Sequence, residues 1–159
     1  MIFSIIIKNQ LNELIDVLKN ENIDLNQRNE FGNTPLHVAC NSIYAINKEI
    51  VEVLLKHPLD INARGIDDCT PLYYAIGKGD NEVVQILIDN GADVNIPDSY
   101  GNTPLMTAAD MFDDDATIIQ LLLENGADPH QKNNYGVSVY KLLEMPGNAS
   151  IRNLFPPEN

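Results

Sequence analysis

The sequence predicts an all-α protein built as a stack of helix-turn-helix units, and three observations predict it. A short phrase returns along the chain as Thr34-Pro35-Leu36-His37, Thr70-Pro71-Leu72-Tyr73 and Thr103-Pro104-Leu105-Met106, with a degraded copy at Ser138-Val139-Tyr140-Lys141. Its spacings of 36, 33 and 35 residues are repeat-architecture periods. A second phrase keeps phase with the first: Asn90-Gly91-Ala92-Asp93-Val94-Asn95 matches Asn125-Gly126-Ala127-Asp128-Pro129-His130, with weaker forms at Leu59-Asp60-Ile61-Asn62 and Ile23-Asp24-Leu25-Asn26. Between the phrases, apolar residues recur with helical period.

The unit from Thr70 to Asn102 justifies each element in turn. Thr70 offers a hydroxyl to cap backbone N–H groups, and Pro71 suits the first helical turn. Leu72, Ala75 and Ile76 form one apolar stripe; Val83, Val84, Ile86, Leu87 and Ile88 form a second. Gly77-Lys78-Gly79-Asp80 separates the two helices, and Gly91 stops the second at a position suited to a left-handed C-cap. A polar connection of Asp, Asn and Gly leads onward. In the same register Phe3 and Ile6, then Leu14, Ile15, Val17 and Leu18, supply the stripes of a first unit, and Ile151, Leu154 and Phe155 the second stripe of a last one. Five units result in a single domain over 1–159: a first cap repeat 1–33, full repeats 34–69, 70–102 and 103–137, and a last cap repeat 138–159. The extra residues of the longer repeats fall between their two helices, around Asn41 to Lys48 and around Met111 to Ala116.

These phrases resemble the ankyrin repeat family, whose unit of 33 residues opens with T-P-L-H and closes with G-A-D-V-N. The resemblance covers nearly the whole chain. It departs at Pro58 and Asp68, where the family prefers Gly, and at Met145-Pro146-Gly147, where the turn of the last cap is irregular. It implies a curved solenoid in which the first helices line a concave palm and the connections project as hairpin-like fingers. It also implies that His37 hydrogen-bonds the adjoining connection, and that the fold carries no built-in catalytic pocket. No unit buries its apolar faces alone, so neighbours share one continuous core.

Charge narrows the function classes. The chain has 159 residues, 44% of them hydrophobic, and a formal charge of -13. From Asp67 to Asp128 there are 13 acidic side chains against Lys78 alone; before Asp67 there are 8 acidic and 6 basic, and after Asp128 2 and 3. Such a protein does not bind nucleic acid through bulk charge, and an anionic membrane repels it. No apolar stretch has the length of a membrane span or a secretory leader. Cys40 and Cys69 form neither a C-x-x-C motif nor a Cys/His cluster, so a reduced, cytoplasmic setting is expected. A single-sign field over two repeats steers an oppositely charged partner.

By alignment to the family, the fingertips are Glu30 and Phe31, Ile66 and Asp67, Ser99 and Tyr100, and Asn134 and Tyr135. Rings at Phe31, Tyr100 and Tyr135, with Asp67 in the remaining tip, form a candidate hot-spot row. At the palm edge stand Asp110 and Met111. The first insertion adds Ile43, Tyr44 and Ile46; the second adds Phe112, Asp113, Asp114 and Asp115. The aspartate run lacks the alternating ligands and Gly turn of a Ca²⁺ loop, so no metal is expected. Cys40 falls at a core position, Cys69 on a finger, and Asn148-Ala149-Ser150 forms a nominal glycosylation sequon.

The expected function is a non-catalytic protein-binding module that grips a basic partner protein through an acidic concave surface and its fingertips. With no further domain in the sequence, binding is expected to be the whole task. Two specialisations fit: an immunity-type antagonist that covers a basic toxin enzyme, and a host-directed or regulatory adaptor. No nucleophile elbow, phosphate loop or metal-ligand spacing supports an enzyme, and no cofactor is expected. Self-association through Phe31, Tyr100 and Tyr135 is a third class; the free protein is expected to be a monomer.

Overall fold

A computed structural model describes residues 1–19, 23–43 and 45–157. These residues form helices and turns with no strand among them. The helices come in pairs: α1 (Ile2–Ile7) with α2 (Leu11–Leu18), α3 (Pro35–Cys40) with α4 (Lys48–Leu55), α5 (Pro71–Gly77) with α6 (Asn81–Asp89), and α7 (Pro104–Asp110) with α8 (Thr117–Glu124). α9 (Val139–Leu143) is followed by a 3-10 segment, Pro146–Leu154, where the sequence leads one to expect a second α-helix. Pro146 opens this segment, where proline is tolerated, but Gly147 follows at once and is a poor helix former. Ile151 and Phe155 are nevertheless buried, as their stripe requires.

The opening phrase starts each first helix. The hydroxyls of Thr34, Thr70 and Thr103 accept from the backbone N–H three residues on, at 3.5, 3.4 and 3.2 Å. Pro35, Pro71 and Pro104 occupy the first helical turn, where no N–H is needed. Ser138, in the degraded copy, makes no such bond.

The closing phrase does two jobs. Its Asp folds the turn: Asp24, Asp60, Asp93 and Asp128 each accept from the N–H two residues on, at 2.8 to 3.0 Å. Its Asn crosses to the next unit. The side-chain oxygens of Asn26, Asn62 and Asn95 accept from the backbone N–H of Asp60, Asp93 and Asp128 at 2.7, 2.9 and 2.8 Å. On the far side, the amides of Asn62 and Asn95 donate to Gly91 O and Gly126 O. Gly91 has a φ of +92°, the left-handed C-cap that a side chain would resist.

Stacking gives two layers. α1, α3, α5, α7 and α9 pack in sequence as one, and α2, α4, α6 and α8 as the other. Successive first helices approach more closely than successive second helices, so the stack curves with the first layer inside. Leu14, Leu36, Leu54, Leu72, Leu87, Leu105 and Leu122 are shut off from water between the layers. Ile15, which the sequence places on a stripe, lies on the rim of the core and is partly exposed. Among the described residues no helix is long and apolar enough to cross a membrane.

Because Leu87 lies between α6 and its neighbours with no solvent contact, Leu87→Ala should lower unfolding free energy by about 2–5 kcal/mol. Urea denaturation followed by circular dichroism measures this.

Candidate partner-binding surface

The connections are tight loops closed by backbone bonds. Asn29 N–H donates to Asn33 O, Gly65 to Cys69, Asp98 to Asn102 and Asn133 to Val137, at 2.8 to 3.0 Å. Side chains brace three of them from within. Asn29 Oδ1 accepts from the N–H groups of Phe31 and Asn33, Asp98 Oδ1 from Tyr100 and Asn102, and Asn133 Oδ1 from Tyr135 and Val137. The tips are thereby held while Phe31, Tyr100 and Tyr135 stay 60%, 52% and 74% exposed. These rings do not fold back to stiffen the loops. Neighbouring loops are instead joined by backbone bonds, Ser99 N–H to Asp67 O at 2.8 Å and Asn134 N–H to Tyr100 O at 3.0 Å.

The second loop is built differently. Gly65 stands where the others have Asn or Asp, because Asn33 Oδ1 fills the space and accepts from Ile66 N–H at 3.2 Å. A Cβ on Gly65 would lie 2.2 Å from that oxygen. Without an internal brace the tip closes as a 3-10 turn, Ile66–Asp68, with Asp67 and Asp68 at φ of 54° and 58°. Asp is among the few residues that tolerate this left-handed geometry. The departure from Gly at Asp68 thus places two carboxylates on one exposed tip.

His37 ties α3 to this loop and is fully buried. Thr34 N–H donates to its Nδ1 at 3.1 Å, which makes Nδ1 an acceptor and leaves the proton on Nε2. Nε2–H then donates to Cys69 O at 3.0 Å. Burial, which penalises the cation, pushes the His37 pKa down; its hydrogen bond to the Cys69 backbone opposes this more weakly.

Between the helices of each unit the chain passes through 41–47, 78–80 and 111–116, so both insertions fall at the same edge. In 111–116, Met111 is exposed and Phe112 half-buried against the core. Asp115 engages both oxygens: Oδ1 accepts from Thr117 N–H and Oγ1–H at 2.9 and 2.6 Å, and Oδ2 from Asn81 Nδ2 at 2.8 Å. The Thr117 hydroxyl, first among these, holds its pKa below the usual carboxylate range. Asp113 and Asp114 stay exposed, with Asp114 at φ 77°. Tyr44 lies outside the described residues. No group of 3 or more His, Cys, Asp or Glu among the described residues is placed to hold a metal ion.

The acidic stretch therefore divides. Asp80 caps α6, Asp93 and Asp128 fold turns, and Asp98, itself buried, braces a loop and accepts from Tyr73 OH at 2.8 Å. Glu82 pairs with Lys48 at 2.7 Å on the outer layer. The carboxylates of Asp67, Asp110, Asp113 and Asp114 make no hydrogen bond or ion pair with the described residues. Asp67 stands on a loop tip, Asp110 at the end of α7, and Asp113 and Asp114 between α7 and α8.

Sequence reasoning missed an apolar groove. It runs from the first loop to the α3 edge, beside Ile7, Phe31, Val38 and Ile43. Ile7 closes the apolar run Ile5-Ile6-Ile7, and only packing distinguishes it, exposed, from its buried neighbours. Cys40 is buried and its thiol pKa driven up by desolvation. Cys69 is half-buried, its thiol pushed up to about 11 by burial and then by Asp98, Asp67 and Asp68. Asn148, in the sequon, is buried and donates to Leu142 O at 2.9 Å.

A family model described as ankyrin repeats in three copies matches residues 2–65 and 43–133. Among curated proteins, the chain is 39% identical over 98 residues to a probable 26S proteasome regulatory subunit p28 of Saccharomyces cerevisiae, covering 60% of this chain and 41% of that one. It is 33% identical over 93 residues to the ankyrin repeat protein OPG189 of variola virus, covering 58% and 16%. It is 35% identical over 101 residues to the SMC5-SMC6 complex localization factor protein 1 of Bos taurus, covering 62% and 9%. The alignments thus span less than half the length of each of these relatives.

The His37 geometry makes a pH prediction. A base with a lowered folded pKa contributes stability that is complete above its unfolded value of about 6.5 and is lost as pH falls toward the folded value. Wild-type stability should therefore drop between about pH 7 and 5 relative to His37→Gln. Parallel urea titrations should show wild type more stable near pH 7 and the gap to His37→Gln narrowing with acidification, and a gap independent of pH would rule the mechanism out.

Proposed function

The chain belongs to the ankyrin repeat family, and from that premise we propose that it binds a basic partner protein along its concave side. Ankyrin repeats generally mediate protein–protein interaction. One observation supports the finer reading: Asp67, Asp110, Asp113 and Asp114 make no hydrogen bond or ion pair with the described residues, while the rings of Phe31, Tyr100 and Tyr135 are exposed. A carboxylate that already caps a helix has a partner. These four gain one only when Lys or Arg arrives. Concentrating them over two repeats gives the encounter a direction and a rate advantage at low salt.

The rings supply what charge lacks. Each is a rigid, partly apolar surface held at a fixed height by its braced loop, suited to desolvated contact. Met111 extends that contact at the α7 edge, Phe112 supports it from the core side, and Asp115 fixes the loop to Asn81. A partner that is an enzyme would be inhibited by such coverage, as an immunity-type antagonist inhibits; a partner within an assembly would be tethered. The relatives favour tethering, since two of them are named for complexes, a proteasome subunit and a localization factor. Free thiols at Cys40 and Cys69 suit the reducing setting of the cytoplasm.

Capture from the native source at low salt tests this reading, with the wild type beside a variant carrying Asp110→Asn, Asp113→Asn and Asp114→Asn. The wild type should retain a protein of net positive charge, with retention falling steeply as salt approaches about 0.5 M. The variant should retain several-fold less. Equal retention by both, indifferent to salt, would end the charge-led reading.

A further inference from the structure

The concave side changes character along the stack. Toward α1–α4 it holds a cavity of about 230 Å³ beside Ile7, Phe31, Val38 and Ile43. None of the described residues lining it is charged, in a chain of net charge -13. Its volume falls below the roughly 300–1,000 Å³ of small-molecule pockets and is on the scale of one large side chain. Ile7 and Ile43 are 56% and 80% exposed, so apolar surface stands in water at its mouth.

The cavity is formed before anything enters it. Asn47 Oδ1 accepts from Glu49 N–H and Ile50 N–H, capping α4, while its Nδ2 donates to Asn9 Oδ1 at 2.6 Å. One side chain thus links the α1–α2 turn to the start of α4 and fixes the far wall. A preformed pocket loses little conformational entropy on filling.

Repeat register joins this cavity to the carboxylates. Phe31 occupies the position of Asp67 and Tyr100; Asn41, at the end of α3, that of Asp110 at the end of α7; and Ile43 that of Phe112. Cavity and carboxylates therefore share one side of the stack, in different units. We infer that the cavity seats a large aliphatic or aromatic side chain of the partner, and that Lys or Arg residues on the same segment reach Asp67, Asp110, Asp113 and Asp114. This rests on the basic-partner reading above. Charge selects the occupant: a second copy of this chain would bring a like-signed surface, whereas an apolar anchor followed by basic residues complements both parts. Units about 10 Å apart put the two parts roughly 20 Å from each other, a distance that about six extended residues span.

Backbone amide NMR of the full chain tests this with three probes: N-acetyl-tryptophanamide, tetralysine, and one peptide joining them as acetyl-Trp-(Gly-Ser)₃-Lys₄-amide. Tryptophanamide should shift Ile7, Val38 and Ile43 regardless of salt. Tetralysine should shift Asp110, Asp113 and Asp114 and fade with salt. The joined peptide should bind at least about tenfold tighter than either half. Ile43→Asp, a change at an exposed position, should leave the melting curve intact, abolish the tryptophanamide shifts, and reduce the joined peptide to the affinity of tetralysine. Absence of cavity shifts, or an Ile43→Asp variant that binds like wild type, overturns the inference, while a surviving tetralysine response keeps the basic-partner reading. Cavity shifts without any tetralysine response overturn both. A joined peptide with Ser₄ in place of Lys₄ that binds equally well assigns the cavity to apolar ligands alone. A concentration-dependent dimer lost in Ile43→Asp assigns it to a second copy. Either result overturns the inference.

Discussion

A helix pair of this size has more apolar face than it can bury by itself, and contact with the next pair is what closes the deficit. The crossing asparagines fix how that contact is made. Asn26, Asn62 and Asn95 each accept from a backbone N–H one unit further on, so sliding by one residue would strand an acceptor and a donor together. Hydrophobic burial has magnitude but little direction; the amide bonds supply direction. Every exposed feature of the loops, from the ring row to the carboxylates, inherits its spacing from this registration.

That dependence explains how the acidic character is tolerated. Several of the carboxylates between Asp67 and Asp128 are structural parts. They cap α6, fold turns, or brace a loop, so each already has a hydrogen-bond partner within the fold. Others remain in solvent, where water and salt screen their mutual repulsion. A charge of -13 is thus less a uniform cloud than two populations with different duties.

Much of the fold was legible in the sequence because it is written several times. Thr70, Pro71 and Leu72 can be compared with Thr103, Pro104 and Leu105, so each cap and core position is checked against a copy of itself. The second element of the last unit was harder. Its apolar residues point inward as expected, but the Pro146-Gly147 pair sets a tighter backbone that no stripe reveals. The surface was legible only in part. Loop tips follow from register, and Phe31, Tyr100 and Tyr135 were readable as exposed. Whether a given Asp is engaged was not, since Asp113 and Asp115 look alike until Thr117 and Asn81 are placed around one of them. The uncharged cavity was invisible for a similar reason: Ile7 belongs to α1 and Ile43 to a loop, and only stacking brings them to one wall.

The braced loops have an evolutionary corollary. What holds a tip upright is Asn29, Asp98 or Asn133 at its base, and what the tip displays is Phe31, Tyr100 or Tyr135 two residues later. The displayed side chain contributes only its main-chain N–H to the brace, so almost any non-proline residue can be substituted there without weakening it. Each braced loop is then an address whose content is free to drift, and recognition can be rewritten there one letter at a time while the scaffold beneath stays the same.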